Sequence, residues 1–372
     1  MVDNKRLGLY AKEFLKAHQD YKDYWNYEDG VVLEGARFLY EATGEEEYRA
    51  FVLNYLDRRV EEDGTIPTFP EQFALDSFKS GTLLFFGWDQ TKKEKYRKAM
   101  DFLIGKMKDY PRTKCGSFWH KDIYENQIWL DGLYMMMPFY MEYDTRFGGK
   151  EHYADILNQF QNVKKYLYCE EKGLYFHGYD EAKIQPWANP ETGCSSNFWS
   201  RAEGWWLMSM VDTLSRCDMQ IYEIYRGIAD LLPVSVDGLL PYRAEKDGLI
   251  YQVIDRPDVP GNYTETSGSV MAACTLMKAS LMRVLDPDRY LKTGREMFES
   301  IIENKLLKGE DGRDHLYDIC CVAGLGPGEK RNGSVEYYLS EPKKVDEAKG
   351  VGAFLMAYAM YLQTEELMRQ YS

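Results

Sequence analysis

The chain has 372 residues, with 46 Lys and Arg against 60 Asp and Glu, for a formal charge of −14. Acidity spread along the whole length excludes a nucleic-acid binder, which needs a basic stripe to displace counterions from phosphate. A hydrophobic content of 45% beside 28% charged residues excludes a disordered chain, and the unusual figure is an aromatic content of 15%.

The first twenty residues are charged and amphipathic, without the apolar core of a signal peptide. Helical periodicity then dominates. Val31-Val32 and Phe38-Leu39 lie two turns apart on one face, and Met100, Leu103 and Met107 follow a spacing of three to four. A loose repeat runs through the chain. Apolar helices open with or near Gly35, Gly81, Gly132, Gly204, Gly268 and Gly352, and most are followed by a short turn and a more charged helix, as at 45–60, 92–107, 150–166 and 287–306. Alternating strand patterns are rare. Six apolar and six amphipathic helices, the N-terminal one included, give about 31 residues per helix with its loop. An inner ring of apolar helices inside an outer ring of amphipathic ones satisfies the pattern, which predicts an all-α (α/α)6 toroid of twelve helices. No Ser-, Gly- or Pro-rich linker divides it, so residues 1–372 are read as one domain. In a toroid the longer loops gather at one funnel. The two longest span 170–200 and 319–350, and long loops in a compact domain are commonly functional.

No apolar run reaches the roughly 18 residues of a membrane helix, the most apolar stretch being broken by Asp131, Gly132 and Pro138. The seven cysteines are scattered without a CxxC, so a cytoplasmic protein with reduced thiols is expected, with no nucleic-acid or membrane partner. Five histidines without a close pair or an HExxH argue against a metal, and the absence of Walker, GxGxxG and GxSxG patterns leaves no cofactor expected. Gly324-Leu325-Gly326-Pro327-Gly328 is glycine-rich but has no strand–loop–helix setting for phosphate.

Six of the eight tryptophans lie between residues 119 and 206, together with His120, Lys121, Asp131, His177 and Arg201. Sugar faces pack C–H groups on aromatic rings while their hydroxyls need planar polar partners, so this clustering suits a carbohydrate cleft. Each tryptophan taken singly fits a core position equally well. Asp131 stands out as a carboxylate on an apolar helix, where burial raises a carboxyl pKa and prepares a general acid. Two plainer readings compete: Asn126 caps this helix and leaves Asp131 near its second turn, or Asp131 is a buried hydrogen-bonder. Asp76 reads by itself as a helix N-cap, and gains interest because its helix neighbours that of Asp131 in a toroid. His120, Lys121, His177 and Arg201 are the candidates to meet an anionic substrate.

The stretch Gly116-Ser117-Phe118-Trp119-His120-Lys121, running on to Asn126-Gln127-Ile128-Trp129-Leu130-Asp131-Gly132-Leu133-Tyr134, resembles the core motif of the unsaturated rhamnogalacturonyl hydrolases, glycoside hydrolase family 105, relatives of the family 88 unsaturated glucuronyl hydrolases. Leu75-Asp76-Ser77, His177-Gly178-Tyr179-Asp180, Phe198-Trp199-Ser200-Arg201-Ala202-Glu203-Gly204-Trp205, Glu265-Thr266-Ser267-Gly268-Ser269 and Glu336-Tyr337-Tyr338 agree with it in order. The resemblance implies the toroid and a hydration of the C4=C5 double bond of a non-reducing-end unsaturated galacturonate in pectin lyase products. It implies Asp131 as general acid/base and Asp76 as the second carboxylate. Substrate binding falls to Tyr27, His120, Lys121, Trp129, His177, Trp199, Arg201 and Trp205. The partner it implies is a small anionic unsaturated oligosaccharide, met by a monomer or weak homo-oligomer. At Ser77-Phe78-Lys79 the chain departs from the family pattern. The alternatives are an unsaturated glucuronyl hydrolase acting on glycosaminoglycan-type oligosaccharides, a sugar epimerase, which would be expected to use paired histidines, and a non-catalytic carbohydrate-binding protein.

Overall fold

The structure, a computed structural model, describes residues 2–371. Its first half runs α1 (Asn4–Ala17), α2 (Tyr27–Thr43), α3 (Glu46–Arg59), a 3₁₀ stretch Leu75–Gly81 leading straight into α4 (Thr82–Thr91), α5 (Glu94–Lys106), strand β1 (Gln127–Trp129), α6 (Leu130–Arg146) and α7 (Tyr153–Leu167). Three short strands follow, β2 (Tyr168–Cys169), β3 (Leu174–Tyr175) and β4 (Gly178–Asp180), then α8 (Ser200–Leu214), α9 (Tyr222–Ala229), α10 (Leu231–Leu239), α11 (Thr266–Leu281) and α12 (Pro287–Asn304). The last part holds β5 (Leu306–Lys308), β6 (Asp314–Leu316), β7 (Ile319–Cys320), α13 (Val335–Ser340), β8 (Lys343–Lys344) and α14 (Ala348–Tyr371).

Neighbouring contacts run from α2 to the 3₁₀–α4 unit, on to α6, α8, α11 and α14, and from α14 back to α2, which closes a ring of six. α3, α5, α7, the α9–α10 pair and α12 each pack outside their hairpin partner. α1 lies against α14, where the Tyr10 and Phe354 rings meet edge-on at 5.7 Å. The expected toroid of two concentric rings is therefore present, with one outer place filled by two short helices. Composition explains who sits where. Every residue of α8 is buried. In α12 only Tyr290, Gly294, Met297, Phe298, Ile301 and Ile302 are, a single stripe at helical spacing. Inner helices approach so closely that side chains do not fit between them: a Cβ on Gly352 would come 2.5 Å from the Val31 carbonyl oxygen, and one on Gly35 would come 2.7 Å from the Leu355 Cβ. This is why glycine recurs on the apolar helices.

Local signals set the helix starts. The Asn26 side chain accepts from the Asp29 amide at 2.9 Å at the head of α2, and Glu265 accepts from the Gly268 amide at 2.7 Å at the head of α11. Inner-helix N-termini meet at one mouth: the Ser80 hydroxyl donates to the Asn26 carbonyl, and the Ser200 hydroxyl donates to Glu265. Their aligned dipoles make that mouth favourable for negative charge. The eight short strands form four antiparallel pairs that the sequence does not announce, and β1–β4 is the pair that matters for the site.

Further down the axis, Glu34 and Lys79 are both fully buried, with 3.4 Å between them. Glu34 also pairs with Arg37 at 2.6 Å and Arg216 at 3.3 Å. A cavity of about 390 Å³ opens at the far mouth, lined by Arg37, Glu142, Arg216 and Lys278, away from the residues described next.

Candidate active site

The segment before α6 is extended rather than helical. Asn126 has φ of 60°, in the left-handed region, and residues 127–129 pair with β4, so Trp129 takes the cap position and Asp131 lies in the first helical turn. Ile128 is thus on a strand, and Asn126 caps nothing there. The reason is tertiary: the Gln127–Trp129 backbone finds a partner strand some fifty residues on, which a local reading of apolar spacing cannot foresee.

That pairing builds the site. Trp129 lies opposite Gly178, and the Leu130 amide donates to the His177 carbonyl at 3.2 Å. The His177 side chain consequently faces Asp131, with Nε2 3.3 Å from Oδ2, His177 fully buried and Asp131 13% exposed. The approach is close but not aligned as a hydrogen bond, so both atoms remain without a hydrogen-bond partner from the protein. On its other side, His177 Nδ1 lies 2.8 Å from the Tyr338 hydroxyl. Burial, then the neighbouring Tyr337 and Asp131, push the Tyr338 phenol well above its ordinary pKa. With the phenol donating to Nδ1, the imidazole proton is assigned to Nε2, aimed at Asp131.

Asp76 comes from the neighbouring inner element. Its cap reading does not hold: it is the second residue of the 3₁₀ stretch, after Ala74. Its partner arrives through backbone pairing, because Ala74 bridges Lys121 and the Leu75 amide donates to the His120 carbonyl. Lys121 Nζ is 2.6 Å from Asp76, and His120 Nε2 is 4.0 Å from it. Burial opposes the charge on Asp76, but Lys121 and His120 outweigh it and hold the carboxyl below its ordinary pKa. Burial, aided by the charge of Lys121 and opposed by Asp76 and Asp131, pushes His120 down to about 4, so its imidazole is neutral near pH 7. Both aspartates act on this one ring, which marks it as their common neighbour.

Aromatic rings wall the site. Trp129 stacks on His120 at 4.5 Å and on Tyr124 at 4.4 Å, and meets His177 edge-on at 5.2 Å. Trp199 lies 4.8 Å from the His177 ring and donates through Nε1 to Gln252 at 3.1 Å. Trp187 packs with Trp129, Tyr124 and Leu325, so the glycine-rich 324–328 stretch belongs to the wall of the mouth. Tyr27, at the head of α2, is half-buried within the fields of Glu28, Asp76, Glu347 and Arg201.

Two expected binders sit differently. Arg201 is 1% exposed, with Nε donating to Ser267 at 2.8 Å, the terminal nitrogens reaching the carbonyls of Cys320 and Cys321, and Glu265 at 3.7 Å. Trp205 lies deeper in the ring, stacked on Tyr134 at 4.8 Å, with Lys79 Nζ 3.9 Å from the Tyr134 ring. Lys79, where the chain departs from the family pattern, therefore points into the axis rather than beside Asp76, and burial, opposed by Glu34, brings it down to about 8. The residue that reading for single functional side chains missed is Tyr338. Its only sequence signal was the Glu336-Tyr337-Tyr338 stretch, since 161 positions separate it from His177. Among the described residues, no three His, Cys, Asp or Glu side chains converge as a metal-holding cluster.

The family model described as Glycosyl Hydrolase Family 88 matches residues 8–365. A glycoside hydrolase from family 105 of C. acetobutylicum is 38% identical in a solved structure, with a TM-score of 0.91 over 96% of this chain and 99% of that one. Protein Atu3128 of Agrobacterium fabrum is 40% identical over 232 residues, 60% of this chain and 97% of its own length. The unsaturated rhamnogalacturonyl hydrolase YesR of Bacillus subtilis is 24% identical over 355 residues, 93% of this chain and 92% of its own.

Proposed function

Because the chain belongs to Glycosyl Hydrolase Family 88 and the related family 105, hydrolases of unsaturated sugars, we propose that it hydrates the C4=C5 double bond of an unsaturated galacturonate at the non-reducing end of rhamnogalacturonan fragments. The arrangement that carries the reading is Asp131 Oδ2 facing His177 Nε2 at 3.3 Å, with Asp76 held ionised by Lys121 at 2.6 Å and His120 between the two carboxylates. The resemblance to YesR supports the galacturonyl choice.

Asp131 in its acid form gives its proton to C4 of the enol ether. Water then adds its oxygen to C5 and returns a proton to Asp131, so the carboxyl ends as it began. The hemiketal formed at C5 opens to a ketone, and the former glycosidic carbon releases the linked sugar. His177 orients the Asp131 carboxyl, and Asp76 is a fixed acceptor for the water or an adjoining hydroxyl. Tyr27, His120, Lys121, Trp129, Trp199 and Arg201 are assigned to shaping and binding. Trp205 supports them from the ring core. Residues 1–372 act as one catalytic unit, cytoplasmic and monomeric or weakly self-associating. Among the described residues no helix is long and apolar enough to cross a membrane.

The test is loss of the ultraviolet absorbance of the conjugated double bond, with unsaturated galacturonyl-rhamnose beside the unsaturated glucuronyl disaccharide. Faster loss with the first is expected; the reverse preference selects the glucuronyl reading. Asp131→Asn is expected to abolish turnover while still binding substrate. Equal consumption by wild type and variant refutes the catalytic assignment.

A further inference from the structure

An unsaturated uronide carries a carboxylate that ordinarily meets a cation, and around this mouth the cations are nearly all committed. Lys121 is held by Asp76 at 2.6 Å, Lys22 by Glu28 at 3.0 Å, and Lys349 by Glu347. Arg201 turns three of its donors to Ser267 and two carbonyls and lies 3.7 Å from Glu265. His120 is neutral near pH 7.

Arg331 differs. It is half-buried, and among the described residues its guanidinium forms neither a hydrogen bond nor an ion pair. Its position follows from Gly324: a Cβ there would come 3.1 Å from Arg331 Nη1 and 3.5 Å from Trp129 Cη2. The guanidinium and the benzo edge of Trp129 therefore both border Gly324, and Trp129 is the residue that caps the helix of Asp131 and touches both His120 and His177. The segment is tied down on both sides. The Gly326 amide donates to the Arg331 carbonyl at 2.8 Å, and Leu325 is fully buried among Trp129, Trp187 and Tyr124.

We infer that Arg331 is a substrate-binding residue that takes the carboxylate of the terminal uronate. The assignment rests on the proposed reading that the substrate is an unsaturated uronide. A guanidinium offers a carboxylate two parallel N–H donors, and a partly desolvated one gives the stronger, charge-assisted form of that bond. Selection for an acid over a neutral sugar then comes from a loop outside the motifs that hold the two aspartates.

The experiment compares wild type with Arg331→Ala, Arg331→Gln and Arg331→Lys, in two arms. In the first, calorimetry measures binding of galacturonate and of its methyl ester. Wild type is expected to prefer the acid. Arg331→Ala should weaken the acid roughly tenfold to a hundredfold and leave the ester unchanged, with Arg331→Lys recovering part of the loss. In the second, turnover of unsaturated galacturonyl-rhamnose should show the same rise in KM, with kcat changed less than about threefold. Arg331→Gln keeps the stem and judges the matter by the same criterion if the alanine variant does not fold. Equal acid binding by wild type and variants, an equal loss for acid and ester, or no acid preference in wild type overturns the inference. Absent turnover by wild type, with the acid still preferred through Arg331, refutes the proposed reaction and upholds the carboxylate site.

Discussion

Replacing Lys121 with Met probes the electrostatics of the site most directly. Asp76 is 16% exposed and Lys121 29%, and the 2.6 Å contact joins them. At an effective dielectric of about 20 that contact is worth about 6 kcal/mol before desolvation, and stranding one partner of a buried pair costs about 3–5 kcal/mol. Burial already pushes Asp76 upward and is overcome by Lys121 and, secondarily, His120. Removing the ammonium leaves burial dominant, so the carboxyl escapes most of the penalty by taking up a proton. At about 1.36 kcal/mol per pH unit, a 3 kcal/mol loss moves its titration up by about 2 units. The wild-type carboxyl has a depressed pKa, so the stability it contributes is present above the ordinary carboxylate pKa and lost as pH falls through the folded value. In Lys121→Met the sign reverses, and stability falls as pH rises through the raised value. If an ionised Asp76 serves hydration, the acidic limb of the rate profile moves upward by about 2 units, while activity well above it partly returns. The assay is the ultraviolet decay rate from pH 4 to 9 for wild type, Lys121→Met and Asp76→Asn. An acidic limb that stays in place, with Asp76→Asn inactive, refutes the claim that Lys121 acts by keeping Asp76 charged.

Two further outcomes follow from the same geometry. Tyr338→Phe leaves the buried His177 Nδ1 without its 2.8 Å partner, which should cost about 1–3 kcal/mol of stability in urea unfolding and lower kcat more than it raises KM; an unchanged kcat removes Tyr338 from any role in orienting His177. Glu34→Ala strands the buried Lys79 in the axis and takes one of two carboxylate partners from Arg37 and Arg216, which keep Glu41 and Glu142, so unfolding stability should drop by about 3–5 kcal/mol while kcat at 25 °C stays near wild type, and a kcat collapse in still-folded protein would tie that network to the reaction.

The ring architecture was readable because it rests on averages. Apolar helices alternate with striped ones, and glycine recurs where two inner backbones touch, as at Gly35 and Gly352. Asp131 was legible as a carboxylate on an apolar helix, whereas Asp76 read by itself as a cap and drew notice only as the neighbour of Asp131 and through the family resemblance. Less legible were contacts made across the ring or through short strand pairs. Asn126 resembled a cap because polar residues before apolar helices usually are; its left-handed backbone instead turns the chain into β1. Arg201 read as a cation for the substrate, and that two of its donors turn to the carbonyls of Cys320 and Cys321, about 120 positions away, was not legible.

Composition, periodicity and motif by themselves pointed to a helical toroid and marked Asp131, Asp76 and the tryptophans near them in sequence as a candidate site. Those properties follow from burying apolar faces and from residue types that must stand near one another in the chain. Only the tertiary structure decided that His177 faces Asp131 and Tyr338 stands behind it, that Lys121 is spent on Asp76, and that Arg331 remains uncommitted at Gly324, which Trp129 also borders. Each of these is a question of which charge or donor meets which partner over a few ångströms. Such distances are set by ring closure and β1–β4 pairing, which join segments whose sequences carry no record of one another.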